Sequence, residues 1–186
     1  MVSPAHARTL LVKGCLPENS VVIAGLCVVP QAPVAALPEG LKVEGPLDCG
    51  DNPALTTVHA RVRIEGSLLL RRNKSLQTVG SDLFVALDCA MTDCSALKSI
   101  DDNLYVGRDL DLSGCPTAIL LPPVGQIGRN LVLPDGYDVA CISKTFTVGG
   151  KIMTDKSLRA DPQYPTKKRF RAPSWAESRG ALRKHR

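Results

Sequence analysis

The sequence predicts a mostly β fold: a parallel β-solenoid of about seven 21-residue coils, followed by a disordered or extended basic C-terminal tail. Three observations carry this. Apolar positions recur every 21 residues without a gap, glycines punctuate the same period, and the charges divide sharply between body and tail. The composition agrees. The 186 residues are 44% apolar, too many for a wholly disordered chain. No run approaches the roughly 18 apolar residues of a membrane helix. Fifteen Gly and 14 Pro favour many short elements over long helices.

Rows of 21 residues begin at Pro17, Pro38, His59, Gly80, Asp101, Pro122 and Ser143. Column six is β-branched throughout: Val22, Val43, Ile64, Val85, Val106, Ile127 and Val148. Column ten reads Leu26, Leu47, Leu68, Cys89, Leu110, Leu131 and Ile152. Column twelve reads Val28, Cys49, Leu70, Met91, Leu112, Leu133 and Thr154. Column four is apolar at Leu41, Val62, Leu83, Leu104 and Phe146, with breaks at Ser20 and Gly125. Columns eighteen (Val34, Leu55, Leu76, Leu97, Ala118, Val139) and twenty-one (Leu37, Val58, Val79, Ile100, Leu121, Ile142) complete the set.

Columns four to six and ten to twelve alternate apolar and variable residues, the period-two mark of a strand. Gly25, Gly45, Gly66, Gly107, Gly128 and the Gly149–Gly150 pair fall between them, where a bend needs a small residue. Each row is therefore two short strands and a loop. A single row cannot bury its apolar side, but stacked rows form parallel sheets around one core. The expected organisation is a cap over 1–16, a solenoid over 17–158 and a tail over 159–186. The cap carries only a trace of the pattern at Leu10, Leu11 and Val12.

Several motifs then resemble a known family. The stretch Leu47 to Val58 (LDCGDNPALTTV) is similar to the leucine-rich-repeat core LxLxxNxxLxxL, and Leu68 to Val79 and Leu110 to Pro122 repeat it. Column fifteen carries Asn52, Asn73, Cys94 and Cys115. The resemblance implies that these side chains bond neighbouring loop backbones as a ladder. Gln31 and Gly136 replace them in outer rows, and helical convex segments are not evident. The LP-then-LxVxGxL flank resembles short bacterial leucine-rich-repeat arrays. Some such proteins are secreted effectors, which implies export into a host cell. A bactofilin-like β-helix shares VxGxL patterns and implies a self-assembling scaffold instead.

The charge is unevenly placed. From Lys156 onward, ten Lys and Arg face two acids, giving +8, while residues 1–155 carry −3. The N-terminus lacks the apolar core of a secretion signal, so a cytoplasmic protein with reduced thiols is expected. Cys49 and Cys89 fall in inward columns and read as small apolar residues. The three histidines, His6, His59 and His185, adjoin no nucleophile motif, and no phosphate-binding loop is present. No catalysis, cofactor or metal site is therefore expected.

Binding candidates lie in the outward columns. Asp48, Asp51, Asp88, Asp93, Asp109, Asp111 and Asp135 form an acidic band, read as a solvated face or as a docking surface for a basic partner, the protein's own tail included. Column five holds Lys42, Arg63, Phe84, Tyr105 and Gln126. Its aromatic pair is either a ladder stabilising the sheet or a partner-binding spot. In the tail, Lys167, Lys168, Arg169, Phe170, Arg171 and Trp175 combine bases with rings, a pattern suited to nucleic acid or an anionic membrane. The expected function is a non-catalytic protein-interaction module. The alternatives are polyanion binding through the tail and self-assembly. The sequence leaves the oligomeric state undefined.

Overall fold

A computed structural model describes residues 1–154 and 156–157. The chain winds as a parallel β-solenoid of about six turns. The first sheet contains Val21–Ile23, Lys42–Glu44, Arg63–Ile64, Phe84–Val85, Leu104–Val106, Gly125–Ile127 and Phe146–Val148. The second contains Leu26–Cys27, Leu47–Asp48, Leu68–Leu69, Cys89–Ala90, Leu110–Asp111, Leu131–Leu133 and Ile152–Thr154. Every neighbour in these sheets is parallel and offset by one 21-residue row, as in Val22 opposite Val43 and Leu26 opposite Leu47.

A third sheet, not expected from the sequence, joins Ala36–Leu37, Thr57–Val58, Thr78–Val79 and Ser99–Ile100. Each of its strands is two residues long and shows one inward side chain. That is too short for an alternating signal. The loop of each row is thus partly a third wall, closing one core from three sides.

The core follows the predicted columns. Val22, Val43, Ile64, Val85 and Val106 of column six are fully buried, as are Leu26, Leu47, Leu68, Cys89, Leu110 and Leu131 of column ten. Column eighteen departs from expectation in its last two rows. Ala118 is exposed and Ile119 turns inward in its place. The turn there is shifted by one residue, with Ile119 N donating to Pro116 O at 3.2 Å. Val139 is also exposed, in the 3-10 turn Val139–Cys141.

Two columns make the corners. Asn19, Arg61, Asp82, Asn103 and Gly40 in column three all have φ between +56° and +67°. Asp51, Arg72, Asp93 and Gly114 in column fourteen do likewise, between +55° and +72°. Asn, Asp and Gly tolerate this left-handed conformation best. Gly107 meets a different demand: a Cβ there would stand 2.1 Å from Ala86 O, so only a glycine lets the coils stack this closely.

The N-terminal cap is helical. Helix α1 (Pro4–Val12) starts at Ser3, whose hydroxyl accepts from His6 N at 3.4 Å, and Pro4 suits the first turn. Ala7 and Leu11 bury against the first coil. Ahead of the helix, Val2 adds a parallel bridge to Val22 and extends the first sheet.

Candidate functional site

The outward side chains of the first sheet stack in register. Arg63 lies opposite Phe84, and Phe84 opposite Tyr105. The two rings are parallel, with centroids 4.8 Å apart and planes 4° from each other. The Arg63 guanidinium carbon stands 3.8 Å from the Phe84 centroid, within cation–π range. Arg63 Nε also donates to Glu65 Oε1 at 2.7 Å, which fixes the guanidinium plane. Lys42 continues the column on one side, held 3.2 Å from Glu44 Oε1, and Gln126 continues it on the other.

This arrangement follows from the repeat. Column five points away from the core because columns four and six point into it. Coils spaced by one strand then bring equal columns to stacking distance. Arg63 and Tyr105 are exposed and Phe84 is half-buried between them. A shallow depression of about 360 Å³ adjoins Tyr105, lined by Asn103, Gln126, Thr145 and Thr147.

The acidic band is different from the solvated face expected. Asp109 and Asp111 are buried, with 7% and 2% of their surface exposed. Asp109 Oδ1 accepts from both Asn130 N and Asn130 Nδ2 at 3.0 Å. Asp111 Oδ1 accepts from Ser113 N at 2.9 Å, and Asp48 Oδ1 from Gly50 N at 3.1 Å. Asp88 Oδ1 receives a longer bond from Asp109 N at 3.4 Å. Partial burial raises the Asp88 carboxyl above its ordinary range. These carboxylates therefore tie backbone turns rather than standing free. Cations also interrupt the band: Arg71 is 3.9 Å from Asp48, Arg129 is 3.9 Å from Asp109, and Arg72 pairs with Asp51 through two nitrogens. The Arg72 bonds hold the Asp51 carboxyl below its usual value.

The column-fifteen side chains form a ladder. Asn73 Nδ2 donates to Cys49 O and Leu70 O, each at 3.0 Å, and Asn73 Oδ1 accepts from Asn52 N at 2.7 Å. Cys94 Sγ donates to Leu70 O at 3.1 Å and Cys115 Sγ to Met91 O at 3.0 Å. Burial pushes the Cys49 thiol up to about 12. Cys115 is pushed up as well, by the adjoining Cys94 thiol and by burial. Such thiols stay protonated and poorly nucleophilic.

Sequence reasoning thus located Arg63, Phe84 and Tyr105 on one face, and it placed Asp48, Asp88, Asp109 and Asp111 along another. It missed the corner columns, where Arg72 meets Asp51 and Asn103 Nδ2 donates to Asp82 Oδ1 at 3.0 Å. The Asn, Asp and Gly bias of columns three and fourteen was the available signal. Lys167, Lys168, Arg169, Phe170, Arg171 and Trp175 lie outside the described residues. Among the described residues no three His, Cys, Asp or Glu side chains converge as metal ligands, and no helix is long and apolar enough to cross a membrane. In comparisons with protein-family models, curated proteins and solved structures, nothing matches the chain.

Proposed function

We propose that the protein is a non-catalytic interaction module that presents the outward face of its first sheet to a protein partner. The observation that carries this is the Arg63–Phe84–Tyr105 stack. It offers a flat aromatic and cationic surface on strands whose positions are fixed by the core behind them. Arg and Tyr are the side chains most enriched where binding energy concentrates, and a preformed stack loses little entropy on binding. The neighbouring depression at Tyr105 supplies relief into which a partner side chain fits.

The same reading takes the array as leucine-rich-repeat-like. It is supported by the hydrogen-bonded ladder of Asn73, Cys94 and Cys115, which Asn52 joins through its backbone N–H. It takes the protein to work in a reducing compartment, supported by Cys49, Cys89, Cys94 and Cys115, which fill core and ladder columns as small buried side chains.

Affinity capture tests the reading. Wild type is compared with Phe84→Ala/Tyr105→Ala and with a chain lacking 159–186. Species that bind the face are recovered by wild type and by the shortened chain and are lost with the double variant. Capture indifferent to the double variant overturns the reading.

A further inference from the structure

The N-terminal cap covers the edges of two sheets and leaves the third open. Val2 bridges Val22 at the edge of the first sheet, and α1 packs against Leu26–Cys27 at the edge of the second. Ala36–Leu37 is the end strand of the third sheet. It pairs with Thr57–Val58 on one side and, among the described residues, with no strand on the other. The amides of column nineteen show what is missing. Thr56 N donates to Ala35 O at 2.9 Å, Gln77 N to Thr56 O at 2.8 Å and Lys98 N to Gln77 O at 2.8 Å, each to the row before it. Ala35 N–H makes no such bond among the described residues. Gly14 stands one row before Ala35. There Gly14 N donates to Leu11 O at 2.9 Å and Cys15 N to Leu10 O at 2.8 Å, so the chain closes the end of α1 instead of pairing with the sheet. Between the two lies a cavity of about 540 Å³, lined by Leu11, Leu16, Ala35 and Ala36, with Lys13 and Glu18 at its rim.

We propose that this edge takes an extended peptide segment of a partner protein as an added parallel strand. An open edge with an unused N–H is a template for a further strand, and strand addition at such an edge is a general mode of peptide capture. The surroundings define the segment. Side chains alternate along a strand, so the residue turned toward Leu11 and Leu16 has to be apolar. The charges fix the two ends. Lys13 falls one row before Val34, in column eighteen, and Glu18 falls in column two. A strand parallel to Ala36–Leu37 therefore passes the ammonium first and the carboxylate last. Glu39 also lines the cavity but is held by Arg61 at 2.7 Å, which leaves Glu18 as the acid at that end. The matching segment carries an acidic residue, then an apolar one, then a basic one. This edge belongs to a different sheet from Arg63, Phe84 and Tyr105 and does not depend on the partner proposed for that face.

The probe is a random twelve-residue peptide library displayed on phage and selected on the full-length protein. Selected peptides should show the acid–apolar–base order. As free peptides they should bind Ala35→Pro about tenfold or more weaker than wild type, because proline has no N–H to give, while a sheet edge tolerates it. Glu18→Lys, which leaves every backbone bond in place, should weaken them about threefold. Circular dichroism checks the fold of both variants. A third measurement needs no variant: hydrogen exchange at the Ala35 amide of the wild-type protein should slow about tenfold or more when a selected peptide is bound. A library that yields no binding peptide overturns the proposal. So do peptides that bind folded Ala35→Pro as tightly as wild type, and so does Ala35 exchange unchanged by a bound peptide, which would place the peptide elsewhere on the surface.

Discussion

The ring of Phe146 occupies the space that a side chain at Gly125 would need: a Cβ on Gly125 would stand 2.4 Å from Phe146 Cε2. The two residues face each other in adjacent coils of column four. One row lends its volume to the next, which explains why the apolar column breaks at Gly125 and why its only aromatic member follows directly.

Gly125→Ala should therefore overpack the site and destabilise the protein by about 1–3 kcal/mol in urea unfolding. Phe146→Ala leaves a cavity and should cost about 3–5 kcal/mol. The double variant should be less destabilised than the sum of the two, because the added methyl group no longer meets a ring. Strict additivity would contradict the packing described.

The ladder gives a second prediction. Asn73→Ala strands the Cys49 carbonyl and the Asn52 amide in a buried site, while Leu70 O keeps its bond from Cys94 Sγ, so a loss of about 2–3 kcal/mol is expected. Asn73→Cys should recover part of this loss, since Cys94 and Cys115 make one carbonyl bond each at the equivalent position. If Asn73→Cys is no more stable than Asn73→Ala, the ladder is not what stabilises column fifteen.

Much of this was legible in the sequence, and the exceptions have physical reasons. The inward columns are visible because each repeats its chemistry in almost every row. The third sheet was hidden because two-residue strands such as Thr57–Val58 show a single inward side chain. The corners were obscured by Arg61 and Arg72, which adopt positive φ beside the expected Asn, Asp and Gly. The acidic residues were placed in the right columns, but period two says only which side a residue faces. It does not say whether that side is covered, and Asp109 and Asp111 are.

The corner geometry separates Gly114 from Arg72. Gly114→Ala would meet Asp93 Oδ1 at 2.2 Å and sits at φ +72°, so steric and backbone costs add. A loss of about 1–3 kcal/mol is expected. Arg72→Gly gives up an exposed ion pair of at most about 1 kcal/mol and relaxes a left-handed residue, so its stability should stay close to wild type. Thermal melts of the two variants check the ordering, which a reversed result would refute.

Asp88 makes stability depend on pH. Burial disfavours its ionised form, so the folded protein holds that proton to higher pH than the unfolded chain does. The ionised carboxyl thus costs stability at neutral pH; the cost fades as pH falls through the raised folded value and is gone below the unfolded value of about 4. Asp88→Asn keeps an acceptor for Asp109 N and removes the charge. Because the side chain still meets solvent, its melting temperature at pH 7 should exceed wild type by only about 1–2 °C. The gap should close in acid, and a gap that widened there would reverse the sign of the argument.

The role of the first-sheet face is tested most directly by titrating a partner recovered on the wild-type protein against wild type and Phe84→Ala/Tyr105→Ala. Removing the stack should raise Kd about 30-fold or more, the loss expected for a binding hot spot, while circular dichroism shows the solenoid intact. An unchanged Kd with the variant folded would mean that the stack only braces the sheet and that the partner binds elsewhere.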